Sequence, residues 1–156
     1  MIMMRQILLT LTLMLSLTAG AQDAEELYAK GKALLEAKDY TAALAKLKPA
    51  AEKGHKKAQY RVGRCYDKGH GVEEDNATAF RWYSKSAEQG YYKAEYQMAR
   101  AYVKGKGVTP SEKKAKAWVK KATSSKKHRA KMLQDIKDGA AKGDKTDQRL
   151  LQLLEQ

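Results

Sequence analysis

The apolar residues of this chain fall at helical spacing. Ala79, Trp82, Tyr83 and Ser86 stand at i, i+3, i+4 and i+7, which places them on one face of a helix. Ala115, Trp118, Val119 and Ala122 repeat that face further on. Between such stretches lie short glycine-bearing breaks, where glycine supplies the left-handed conformation that ends a helix. The pattern predicts helices over 24–37, 40–53, 56–67, from a cap at Asp75 or Asn76 to about Gln89, 92–103, 112–123 and 127–138. A terminal helix carrying Leu150, Leu151, Leu153 and Leu154 follows. Gly63 sits inside one of these helices. It costs up to about 1 kcal/mol in propensity there, so it is expected to admit a neighbouring helix closely. The two tryptophans are expected to fill the space between antiparallel helices.

The helices come in repeating pairs. An offset of 36 residues brings Gly54 onto Gly90, Ala58 onto Ala94, Tyr60 onto Tyr96 and Tyr66 onto Tyr102. The same offset superposes Gly69 on Gly105, Gly71 on Gly107, Val72 on Val108, Ala79 on Ala115, Trp82 on Trp118 and Lys85 on Lys121. Five segments follow: a leader, 1–21; a first hairpin, 22–54; two full repeats, 55–90 and 91–126; and degenerate capping helices, 127–156. Edge units of a stacked array must meet water, so their divergence is expected.

Residues 1–21 read as a secretory signal peptide. Arg5 supplies the positive start, residues 7–17 an apolar run, and Ala19-Gly20-Ala21 a small-x-small cleavage site. The expected destination after cleavage near Ala21 is the periplasm or the exterior. The mature chain has no segment apolar enough to span a membrane.

The residues resemble the Sel-1-like repeat, a longer-looped relative of the tetratricopeptide repeat. The resemblance is carried by Ala58-Gln59-Tyr60-Arg61-Val62-Gly63-Arg64-Cys65-Tyr66, by Gly69-His70-Gly71-Val72, and by Ala79 through Trp82-Tyr83 to Gly90. A second copy runs from Ala94 to Ala122 with Ala99 for the glycine and Val119 for the tyrosine, and the first hairpin is closer to an ordinary tetratricopeptide unit. The resemblance implies an all-α, right-handed α-solenoid of antiparallel hairpins that serves as a protein-binding scaffold, often in the bacterial envelope. One exported branch staples its hairpins with cysteine pairs and has been ascribed penicillin binding. Ala87 and Ala94 stand near those cysteine positions, so the resemblance stops short of that chemistry.

Charge sharpens the picture. The 156 residues hold 31 Lys and Arg against 18 Asp and Glu, a net charge of +13. From Gln22 to Asp75 there are 11 basic and 10 acidic residues; from Asn76 onward, 19 and 8. Lys113, Lys114, Lys116, Lys120, Lys121, Lys126, Lys127, Arg129 and Lys131 form a basic patch with no acid among them. Such a patch either solvates a helix face or attracts an acidic protein or an anionic glycan or lipid surface. Nucleic acid is electrostatically compatible, but the export signal and the fold argue against it.

A second pattern emerges when the first helices are superposed. Tyr28, Tyr60 and Tyr96 share one position, and Lys32, Arg64 and Arg100 lie four residues later on the same face. In tetratricopeptide-like arrays this face lines the concave groove, so these six residues are the candidate binding site for an acidic protein or peptide. The alternative is that the tyrosines pack and the cations are solvated. No catalytic, cofactor or metal site is expected. The single Cys65 reads as a buried hydrophobe, His55, His70 and His128 as scattered surface residues, and the Gly-x-Gly breaks as turns. The sequence therefore points to a non-enzymatic interaction scaffold. Its rivals are an adaptor for anionic envelope glycan or lipid, and a weak hydrolase of the β-lactam-binding type.

Overall fold

The computed structural model describes residues 21–156, so the expected leader lies outside the described residues except for Ala21. Eight helices and no strand follow among these residues: α1 (21–36), α2 (Tyr40–Glu52), α3 (Lys56–Lys68), α4 (Asn76–Glu88), α5 (Tyr92–Lys104), α6 (Glu112–Ala122), α7 (Lys126–Ala141) and α8 (Lys145–Glu155). Side-chain caps fix most of the starts. The carboxylates of Asp39, Asp75 and Asp144 accept from amides in the first turns of α2, α4 and α8, and Ser111 and the His55 ring do the same for α6 and α3. α3 and α5 both end on a left-handed glycine, Gly69 or Gly105.

Antiparallel hairpins stack in chain order into an α-solenoid. α3 packs chiefly on α4 and α5 on α6, while α2–α3 and α4–α5 contacts join one hairpin to the next. Gly63 meets the expectation of close approach, since a Cβ there would lie 2.8 Å from the Tyr83 ring of α4. Gly31 plays the same part against Leu47 in the first hairpin. The second glycine of each Gly-x-Gly turn has a further use. Gly71 and Gly107 lie with positive φ against the backbone at the starts of α2 and α4, where any side chain would collide. These turns lock one hairpin onto the one before it.

The tryptophans depart from expectation. Trp82 and Trp118 are only half-buried, and Lys85 and Lys121 lie over their rings. The deep position falls one residue later, to Tyr83 and Val119. With the small Ala79 and Ala115 a turn earlier, the α4 and α6 stripes centre on those residues instead. Ala87 and Ala94 are fully buried in one core cluster, so small apolar side chains close the α4–α5 junction.

The end of the chain breaks the stacking rule. α6 and α7 touch little, whereas α8 turns back on α7 and packs against both α5 and α6. Met132 and Ile136 of α7 and Leu150 and Leu153 of α8 fill the last part of the core. The return of α8 onto α5 sets the boundary of the site described next.

Candidate functional site

α3 and α5 are the first helices of neighbouring repeats, and α4 runs behind them. Between the two lies a cleft of about 330 Å³. Tyr60, Arg64, Asp67 and Lys68 come from α3, spaced so that one helix face presents them all. Tyr96, Gln97, Arg100 and Lys104 come from α5. Asn76, Ala79, Phe80 and Tyr83, at i, i+3, i+4 and i+7 of α4, form the floor. Lys106 reaches in from the α5–α6 turn and donates to the Asp67 carboxylate at 2.7 Å. Burial raises the Asp67 pKa, but the lysine hydrogen bonds outweigh it and hold the carboxyl below its usual range. Asp67 is thus the one acid among five basic side chains lining the cleft.

Two polar atoms at the floor lack partners. The Tyr83 hydroxyl, on a residue only 4% exposed, makes no hydrogen bond, and neither does the buried Asn76 Oδ1. A buried polar atom without a partner costs about 1–3 kcal/mol, and such atoms are few in folded proteins. Burial drives the Tyr83 pKa far up, so the phenol keeps its proton and remains a donor.

The three tyrosine–cation pairs have different fates. Tyr28 is buried and stacked on His55, with ring centroids 4.6 Å apart, while exposed Lys32 lies 3.5 Å from Glu36 one turn on. Tyr60 is buried between Tyr83 and Tyr91, and Arg64 is exposed and makes no ion pair among the described residues. Tyr96 and Arg100 are claimed by α8. The Arg100 guanidinium donates to Asp147 and to Asp144, each at 2.6 Å, and the Tyr96 hydroxyl donates to Asp147 at 2.5 Å. Burial lifts the Asp144 pKa, but Arg100 and the amides of Thr146 and Asp147 more than reverse this and hold it well below normal. Of the six candidate residues, Tyr60, Arg64, Tyr96 and Arg100 line one cleft, and Tyr28 and Lys32 stand outside it.

The basic patch lies on α6 and α7. All nine cations are exposed except half-buried Lys116. Lys121 lies 3.5 Å from buried Glu95 and over Trp118, and Lys114 lies over Tyr102. The remainder make no ion pair among the described residues. Cys65 is buried, and burial pushes its thiol pKa up. The histidines are not simply solvated. His55, His70 and His128 are half-buried, each stacked on a tyrosine of an earlier helix or cap: Tyr28, Tyr40 and Tyr92. Among the described residues no group of three or more His, Cys, Asp or Glu is placed to hold a metal, and no helix is long and apolar enough to cross a membrane.

Two sets of residues escaped the sequence pattern. Tyr83 is replaced by Val119 in the next repeat, and that difference was the available sign that the two clefts differ in polarity at this depth. Asp144 and Asp147 lie in the divergent tail, where nothing periodic marks them as partners of Arg100.

Comparison with known proteins agrees with this architecture. The Sel1 repeat family model matches residues 56–91 and 93–126. A Sel1 repeat protein from Oxalobacter formigenes superposes with a TM-score of 0.64 at 33% identity, over 74% of this chain and 47% of that one. A protective antigen of uropathogenic Escherichia coli strains displaying an SLR fold gives a TM-score of 0.64 at 26% identity, over 84% of this chain and 29% of that one. The chain therefore spans about half or less of the length of these two structures. No curated protein matches the sequence. The paired repeat-model matches, the hairpin stacking and the glycine-locked turns agree, and the chain is a Sel1-like repeat protein.

Proposed function

We propose that this Sel1-repeat scaffold is an exported interaction module that holds an acidic segment of a protein partner in the α3–α5 cleft. The observation that carries the reading is the cleft itself, where Arg64 and Lys104 are exposed and make no ion pair among the described residues, while its other cations are held by Asp67, Asp144 and Asp147. Arg forks suit carboxylates, and half-buried tyrosine offers rigid contact area at little entropic cost. Export rests on the residues of the leader, 1–21. The non-enzymatic part of the reading is supported by the Sel1 repeat, which is a scaffold type. It is supported also by burial of Cys65, which disfavours its thiolate.

The test is affinity capture from the native envelope with the chain lacking residues 1–21, run beside an Arg64→Glu variant and a Lys113→Glu/Lys120→Glu variant. The cleft reading expects a partner retained by the parent and the patch variant and lost by Arg64→Glu. Retention by Arg64→Glu overturns it. A second reading draws on the exposed cations of α6 and α7: an adaptor for anionic envelope glycan or lipid. In that case the patch variant loses binding to anionic vesicles or polysaccharide, and raising salt weakens the interaction steeply.

A further inference from the structure

The two full repeats differ at one buried polar position, and the difference is a charge. Gln59, buried on α3, has both ends of its amide matched. Its Nε2 donates to the Ala51 carbonyl at 3.1 Å, and its Oε1 accepts from Gln89 at 2.7 Å. In the next repeat Glu95 takes the place of Gln59, Ala87 that of Ala51, and Ser125 that of Gln89. Glu95 is 4% exposed, and its carboxylate meets Lys121 Nζ at 3.5 Å, too far for a good hydrogen bond. The same ammonium lies 3.4 Å from the Ala87 carbonyl, so Lys121 stands in for the donor that Gln59 supplies itself.

Lys121 of α6 is the charged group acting on Glu95. α4 presents the neutral Ala87 carbonyl, and the α8 acids Asp144 and Asp147 are held by Arg100. On α5 itself the residues one turn away are Tyr91, Tyr92, Met98 and Ala99. α7 contributes His128, stacked on Tyr92, and Asp135, whose charge acts on the same tyrosine. Burial raises the Glu95 pKa above its ordinary value, and Lys121 offsets this only in part.

We infer that Glu95 is a proton-binding site: once protonated, its carboxyl donates to the Ala87 carbonyl, as Gln59 does to Ala51, and returns Lys121 to the basic patch of α6 and α7. The neutral acid carries the O–H donor that the carboxylate lacks. One proton thus gives this repeat the bond that the preceding repeat has permanently. It also leaves one more surface cation without an ion pair. The folded chain holds this proton more tightly than the unfolded one. The cost of the buried carboxylate is therefore fully present above the folded pKa and disappears as pH falls toward the ordinary glutamate value of about 4.3. Neither effect depends on what the α3–α5 cleft binds.

The test compares the chain without residues 1–21 and its Glu95→Gln variant by urea titration from about pH 8 to about pH 4.5. NMR follows the Glu95 carboxyl carbon and the Lys121 side chain over the same range. Glu95→Gln is expected to have the higher midpoint at the alkaline end, with the gap closing on acidification. Other titrating groups are common to both chains and cancel. The carboxyl should titrate above the ordinary glutamate range, and the Lys121 resonances should shift with the same midpoint. Gln59→Glu is the reciprocal variant: its midpoint should fall below the parent's at the alkaline end and recover in acid. The closing gap should persist when both chains also carry His128→Gln. A gap constant with pH, a Glu95→Gln midpoint below the parent's at the alkaline end, or a carboxyl titrating within or below the ordinary range overturns the inference. So does a Lys121 side chain that ignores the titration. Loss of the pH dependence in the His128→Gln background assigns the proton to the histidine and overturns it as well.

Discussion

Replacing Arg100 with alanine should release α8 from the array while leaving the N-terminal hairpins intact. The Arg100 side chain is 19% exposed and divides its guanidinium between Asp147 and Asp144. Without it, Asp147 keeps only the Tyr96 hydroxyl as a side-chain donor, and Asp144 falls back on the amides of Thr146 and Asp147. Breaking a buried ion pair from one side costs about 3–5 kcal/mol; the partial exposure of Arg100 and Asp144 brings the expected cost down to about 3 kcal/mol. That is comparable with what α8 gains by burying Leu150 and Leu153, about 1.5–3 kcal/mol each. The open population of α8 should therefore rise by about a hundredfold, at about 1.4 kcal/mol per factor of ten. Native-state hydrogen exchange resolves this directly, because repeat arrays open locally. Amides of residues 149–154 should exchange about a hundredfold faster, with those of α2 and α3 unchanged. Arg100→Lys, which retains charge but not the fork, should fall between parent and alanine. Acceleration below about threefold, or equal acceleration in every helix, refutes the clasp as the anchor of α8.

Three further outcomes follow from the same contacts. Gly63→Ala should lower stability by about 1–3 kcal/mol in urea titration despite its better helix propensity, because its Cβ meets the Tyr83 ring at 2.8 Å. Gly107→Ala should cost more than Gly90→Ala, since both have positive φ but only Gly107 lies against the α4 backbone; paired thermal melts compare them. On acidification, Asp144 (held low by Arg100 and two amides) and Glu25 (held low chiefly by its hydrogen bond to His55) lose stabilising contributions that are fully present above about pH 4–5, the ordinary carboxylate range. Urea midpoints should therefore fall progressively below that range, and Asp144→Asn should flatten the fall.

Most of the fold was readable because it repeats. A face such as Ala79, Trp82, Tyr83 and Ser86 is ambiguous once and persuasive twice, and turns such as Gly69 to Gly71 carry their own backbone requirement. The depth ordering on that face was not readable. Periodicity places Trp82 and Tyr83 side by side, and only the packing against Gly63 decides that the tyrosine goes inward. The tail was illegible for a different reason. α8 reaches Arg100 across 44 and 47 residues, through a hairpin that leaves α6 and returns to α5, and no local pattern encodes such a contact. The histidine stacks are a similar case, since each joins residues of successive elements whose rings meet only after the elements pack.

The repeat writes nearly the same pair of residues three times, yet the three surroundings are unlike. Lys32 faces Glu36 on its own helix, an exposed i,i+4 contact worth only about 0.3–0.5 kcal/mol, and Tyr28 is covered by His55. Arg100 is committed to two carboxylates of α8, which cancel its charge at the point where a ligand would need it. Arg64 alone combines exposure, freedom from an ion pair among the described residues, and a floor with unmatched polar atoms. Of three similar pairs, only one thus keeps an exposed cation without an ion pair among the described residues, through groups lying outside the repeat motif: an acid four residues downstream of Lys32, and a tail helix folded back onto Arg100. The Tyr83-to-Val119 difference acts in the same direction, because it places the buried phenol beneath Arg64 and leaves no hydroxyl at the corresponding place in the next repeat. On the cleft reading proposed above, specificity lies less in the repeated residues than in what is set around each copy.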